Sequence, residues 1–174
     1  MNESSASPSS PWFNRLLDHR ENVFRVCLGF CSSYEEAEDL AQDVYVKAFR
    51  SYGTLERPDL AKFWLLRIAK NTGLDHRKKT RRRGELLRMW ARVDIPPGAA
   101  GADPAPDADA RLASLKVAVH RLPSRFREVF VLREYGLLSY DEIARTLGIG
   151  TGTVMSRLAR SRKRIAAAIE KESQ

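Results

Sequence analysis

Cys27 and Cys31 stand four residues apart, which puts both thiols on one face of a helix with Val23 and Phe24 close by. That setting reads as small buried hydrophobes, with a redox pair or half a metal site as the sharper alternative. His19, His76 and His120 are scattered through the chain without ligand spacing, so neither a metal nor a cofactor is expected. A phosphate-cradling glycine loop, a nucleophile elbow and a credible acid/base pair are all missing from the sequence, and no enzyme is expected. The chemistry that remains is electrostatic. The formal charge is +8 and the isoelectric point about 9.8, values that call for an anionic partner.

Much of that charge is local. Residues 62–92 hold eleven Lys and Arg against one Asp and one Glu. In "WLLRIAKNTGLDHRKKTRRR", Trp64 to Arg83, a helical wheel gathers Trp64, Leu65, Ile68 and Ala69 on an inward arc. Arg67, Lys70, Arg77 and Lys78 fall on the other side. Asn71 and Asp75 lie one turn apart on the border, where an amide can offer a donor and an acceptor to a base edge. The charge run that follows is too dense to bury and suits phosphates, with a solvated face as the plainer reading.

A second basic surface lies near the C-terminus. In "SYDEIARTLGIGTGTVMSRLARSRKRI", Ser139 and Glu142 have capping-box spacing, and Ile143, Ala144 and Leu147 form a buried stripe. "GIG" at 148–150 then stops that helix, and Thr151 is expected to cap the next. A short helix, a glycine turn and a second helix make a helix-turn-helix. Val154, Leu158, Ile165 and Ile169 would face inward. Ser156, Arg160 and Lys163 would face outward, with Thr153 and Arg157 toward one flank. A polar, basic outer face beginning at the helix N-terminus suits base contacts early and phosphate contacts later.

The elements that must hold these surfaces all read as helices. No stretch sustains the alternation of a strand, and no Asn-Gly or Asp-Gly hairpin signal occurs. An all-α chain of two small helical domains joined by a flexible linker is expected. A disordered tail would occupy 1–11, the first domain 12–92, an acidic Pro/Ala linker 93–110 and the second domain 111–172. Helices are expected near 12–31, 34–51 and 60–80, then near 109–121, 123–135, 139–147 and 151–170. "DIPPGAAGADPAPDADA", Asp94 to Ala110, carries four prolines and four aspartates with no basic residue. Its seventeen residues could reach roughly 55–60 Å if extended, so the cationic helices are expected to be held apart by an anionic tether. The first eleven residues lack the charge and apolar core of a secretory signal, and no apolar run is long enough to span a membrane. A cytoplasmic protein without membrane insertion is expected.

In "EEAEDLAQDVYVKAFRSY", Leu40, Val44 and Ala48 recur toward a core, while Asp39, Gln42, Asp43 and Val46 form another face. That face could meet a basic protein partner or be ordinary surface whose acids favour the helix dipole.

The segment from Leu122-Pro123 through "GTVMSRL" resembles the C-terminal promoter-reading domain of sigma-70 family RNA polymerase sigma factors, especially the extracytoplasmic-function (ECF) type. Helix-turn-helix segments of response regulators are similar. "EEAEDLAQDVYVKAFRSY" resembles the sigma-factor helix that docks on the polymerase clamp, and "WLLRIAKNTGLDHRKK" resembles the segment that recognises the −10 element. The resemblance covers 12–92 and 111–170. It implies a factor that binds core RNA polymerase and directs promoter recognition, DNA melting and transcription initiation. The alternatives are a free-standing helix-turn-helix regulator and a protein-interaction module.

By this resemblance Thr153, Met155, Ser156, Arg157, Ala159, Arg160 and Lys163 would contact the −35 element. Thr54, Leu55, Glu56, Arg67, Lys70, Asn71, Asp75, Arg77 and Lys78 would contact the −10 element, with Thr54 to Asp59 as the loop that captures a displaced base. Asp39, Gln42, Asp43 and Val46 would bind polymerase. The implied partners are core RNA polymerase (the clamp of its largest subunit, and its flap), double-stranded and melted promoter DNA, and an anti-sigma factor. The linker would thread the polymerase between the two promoter elements. Three departures stand out: Leu55 replaces an aromatic of some relatives, Gly73 weakens its helix, and Met155 takes a position often basic in the family.

Overall fold

In the computed structural model, residues 16–55, 57–91 and 108–172 are described, with side chains at all of these except 54, 86–91, 108–111 and 172. Every regular element among them is helical, as the sequence pattern requires. The expected tail at 1–11 and nearly all of the acidic linker lie outside the described residues.

The N-terminal bundle is built by α1 (Arg20–Leu28), α2 (Tyr34–Arg50) and α3 (Ala61–Ala91). One continuous helix over 12–31 is not what forms. A turn at Asp18 and His19 interrupts it, and α1 ends at Leu28. Gly29 follows because the chain there runs against the C-terminal module: an added Cβ would lie 2.5 Å from Val131 Cγ1. Ser33 caps α2 by accepting from the Glu36 amide at 3.1 Å, and the Glu36 carboxylate accepts from the Ser32 amide at 2.8 Å. Ala37, Leu40, Val44 and Ala48 then form the buried line of α2, each larger aliphatic adding about 1.5–3 kcal/mol by leaving water. Two 3-10 turns, Tyr52–Thr54 and Pro58–Leu60, lead into α3. That helix runs well past the expected stop near residue 80, since its highly charged second half contains no proline. Leu65, Leu66 and Ala69 are buried in it, and Trp64 and Ile68 are half-buried against the core.

Gly73 is not simply a weak point. A Cβ there would stand 2.4 Å from Phe30 Cδ2, so its absence lets α3 close on the ring that fills the bundle. The cost of up to about 1 kcal/mol in helix propensity is offset by that packing.

The C-terminal module has α4 (Ala108–Arg121), α5 (Ser124–Glu134), α6 (Tyr140–Leu147) and α7 (Thr151–Glu172). The Ser139–Glu142 capping box forms as expected. Gly148 ends α6 in the left-handed region at φ 68°, a conformation that glycine adopts without a Cβ penalty. Thr151 is already the first residue of α7; the Gly150 carbonyl takes the Thr153 and Val154 amides, so the capping position falls one residue earlier than expected. Val154, Leu158 and Ile165 are buried and Ile169 half-buried, while the Ser161 hydroxyl, also buried, lies 3.0 Å from the Phe126 carbonyl.

The modules are not held apart. α6 lies across α3, and buried residues of both modules form one continuous apolar cluster. An added Cβ at Gly136 would reach within 3.0 Å of Val26, and the Asn22 amide donates to the Gly136 carbonyl at 3.3 Å. Apolar side chains at the edge of each small bundle thus cover one another instead of meeting solvent.

Candidate nucleic-acid interface

The outer face of α7 is open. Thr153, Met155, Ser156, Ala159, Arg160 and Lys163 are all exposed, and Met155 keeps 52% of its surface. The buried stripe of α7 rests on α4, α5 and α6, which fixes this face outward. Arg157 differs: its side chain turns to Glu128 at 3.1 Å and is only 26% exposed.

The predicted −10 residues divide into two sets. Asn71, Asp75 and Lys78 are exposed, with Asp75 and Lys78 paired at 3.7 Å. Leu55 packs partly on the core. Glu56 and the Thr54 side chain lie outside what the structure describes. Arg67, itself exposed, and the half-buried Lys70 and Arg77 instead reach across the seam. Arg67 donates to the Thr146 and Arg145 carbonyls at 3.1 and 3.3 Å, at the carbonyl-rich end of α6 where a cation is favoured. Lys70 lies 3.7 Å from Glu128, so this one carboxylate faces a predicted −10 cation and a predicted −35 cation together. Arg77 donates to the His120 carbonyl at 2.9 Å, while its buried Nε has no partner. Lys62 pairs with Glu142, and that contact together with the Ser139 amide holds the carboxyl below the usual range.

Glu128, Lys62 and Glu142 are the residues sequence reasoning missed as seam partners. Glu128 sits in "SRFREVF" among arginines, and no local pattern ties it to Lys70. Behind the seam, Arg127 is buried and donates to the Val119 carbonyl at 3.1 Å. Burial and then Arg77 push its pKa down to about 10. Burial also pushes His120 down to about 3, reinforced by Arg77 and Arg127, so its ring is neutral near pH 7.

On α2, Asp39, Gln42, Asp43 and Val46 form an exposed patch, with Val46 keeping 47% of its surface. Acidic and apolar groups side by side on a basic molecule suit a protein partner better than a nucleic acid.

Comparison with known proteins decides the family. Residues 16–83 match sigma-70 region 2, and residues 112–165 match sigma-70 region 4. The ECF sigma factor SigM of Mycobacterium tuberculosis is 30% identical, over 85% of this chain and 71% of its own. The chain belongs to the sigma-70 family, in its ECF branch. SigE of Mycolicibacterium smegmatis, also an ECF sigma factor, is 35% identical over 98% of this chain, which spans 65% of that relative's length. Among solved structures, the sigma factor RpoE of Bartonella quintana, in complex with the anti-sigma factor NepR, matches with a TM-score of 0.62 at 26% identity. That match covers 91% of this chain and 96% of RpoE. In this sigma factor region 2 accordingly includes α1, α2 and most of α3, and region 4 spans the helix-turn-helix. The seam is therefore a contact between regions 2 and 4.

Proposed function

We propose that this chain binds core RNA polymerase and directs it to promoters, with region 4 reading the −35 element and region 2 recognising and melting the −10 element. The observation that carries this is the open outer face of α7, polar at its start and basic further on, presented by a capped helix-turn-helix. Thr153, Met155, Ser156 and Ala159 lie where base edges would be read, and Arg160 and Lys163 where phosphates would be neutralised. The exposed Asn71 offers the amide for the −10 element, and Asp39, Gln42, Asp43 and Val46 form the polymerase-docking patch. The division into residues 12–92 and 111–172 joined by an acidic tether belongs to the same reading, as do a cytoplasmic location, a role without catalysis and control by an anti-sigma factor. Among the described residues, no helix is long and apolar enough to cross a membrane.

The free chain is closed. Arg67, Lys70 and Arg77 bond across the seam instead of facing DNA, while Arg157 is tied to Glu128 within region 4, so −10 binding through the first three requires the modules to part. Polymerase supplies the differential contacts that favour the open form. A free-standing regulator would bind its operator without polymerase. The deciding experiment is run-off transcription with purified core polymerase on a library of promoters. The expected outcome is transcripts that depend on this chain; no stimulation on any promoter rejects the reading.

A further inference from the structure

The histidine that looks solitary in the sequence is not solitary in space. Cys31 follows α1, Glu36 lies in the first turn of α2, and His76 projects from the middle of α3. Their sulfur, oxygen and nitrogen ligand atoms all lie within 4.8 Å of one another. We propose that Cys31, Glu36 and His76 form a binding site for one zinc-class divalent cation where these three helices meet.

The donor set selects the ion class. Zinc takes thiolate at about 2.3 Å and imidazole or carboxylate at about 2.0–2.2 Å, which places tetrahedral ligands roughly 3.5 Å apart. The three atoms reach that spacing by closing about 1 Å. A thiolate with an imidazole suits zinc or cobalt and disfavours magnesium and calcium, which take oxygen donors. Thiolate and carboxylate together balance the charge of a divalent ion, although Arg77 lies close enough to influence both groups.

Position and surroundings support the same reading. Cys31 is 4% exposed and anchors the inner side, whereas Glu36 and His76 are half-buried and lie nearer solvent, where water could complete a tetrahedral set. The Ser32 amide, donating to Glu36 Oε2 at 2.8 Å, orients the carboxylate as outer-shell partners of metal ligands do. Cys27, the other buried thiol, is outside the cluster and serves as a control. Bound metal would tie α3, and with it Asn71 and Arg77, to the α1–α2 junction.

The test uses the full chain, stripped with a chelator and titrated with Co²⁺. One equivalent should produce a thiolate-to-cobalt charge-transfer band that Zn²⁺ abolishes, and Zn²⁺ should raise the thermal midpoint. Cys31→Ser should remove the band. His76→Gln, at a half-exposed position that does not threaten the core, should weaken binding by about tenfold or more. Cys27→Ser should leave both responses intact. Absence of the band at stoichiometric Co²⁺, or a band that persists undiminished in His76→Gln, overturns the proposal.

Discussion

Glu128→Gln tests the closed seam most sharply. The Glu128 and Lys70 side chains are 15% and 14% exposed, and Arg157 is 26% exposed, so the cluster is largely out of water. Breaking a fully buried pair costs about 3–5 kcal/mol, whereas exposed pairs are worth about 0–1 kcal/mol. Glutamine keeps an acceptor, the site is partly screened and only the Lys70 contact crosses the seam, so about 1 kcal/mol is the reasonable figure, a factor of roughly 5 in equilibrium. The Lys70 part falls on the closed form, whereas the Glu128–Arg157 pair joins α5 to α7 inside region 4 and is lost in both forms. Fluorescence anisotropy with promoter duplexes should show free Glu128→Gln protein binding up to about 5-fold more tightly than the parent, and small-angle scattering should show a larger radius of gyration. Glu134→Gln is the charge control: it removes the same unit charge from α5 at an exposed pair with Arg162, outside the seam. A Glu128→Gln protein that melts earlier but is neither more extended nor a better DNA binder than Glu134→Gln refutes the reasoning.

Other outcomes follow from single side chains. Asn71→Ala should impair −10 recognition or melting in run-off and permanganate assays while core binding is unchanged, and Arg160→Ala should weaken dependence on the −35 element. Gly73→Ala should lower the calorimetric midpoint, because overpacking against Phe30 costs about 1–3 kcal/mol against a propensity gain of about 1; a raised midpoint contradicts the packing account. His120 has its folded pKa pushed to about 3 from an ordinary 6.5, so the unfolded chain binds the proton first on acidification. The stability from keeping it neutral is present above pH 6.5 and is lost as pH falls toward 3, at roughly 1.4 kcal/mol per unit. His120→Asn should flatten that part of the denaturation profile. DNA binding by the opened protein should weaken by roughly 10³–10⁵ between 50 and 200 mM salt if six to ten phosphates are neutralised.

What the sequence disclosed was local. The Ser139–Glu142 box, the Leu40–Val44–Ala48 line and the Val154–Leu158–Ile165 stripe each depend on residues within a few turns of one helix, and periodicity reports them directly. The exposed face of α7 follows from the same wheel. The seam was illegible because a wheel places charge outside one helix without saying what lies there. Arg67 meets a carbonyl 79 residues later, and Asn22 meets one 114 residues later. Gly73 reads as a defect until Phe30 is seen against it. His76 likewise has no ligand spacing along the chain, since its neighbours Cys31 and Glu36 come from the α1–α2 loop and the first turn of α2.

On the proposed function, regions 2 and 4 are clasped in the free sigma factor and part on polymerase. Spin labels at Glu38 on α2 and Glu170 on α7, both exposed, report the separation of the modules by double electron–electron resonance. A single short distance in the free protein that lengthens on adding core polymerase is the predicted result. A distance that is broad and long without polymerase, or unchanged by it, contradicts the account.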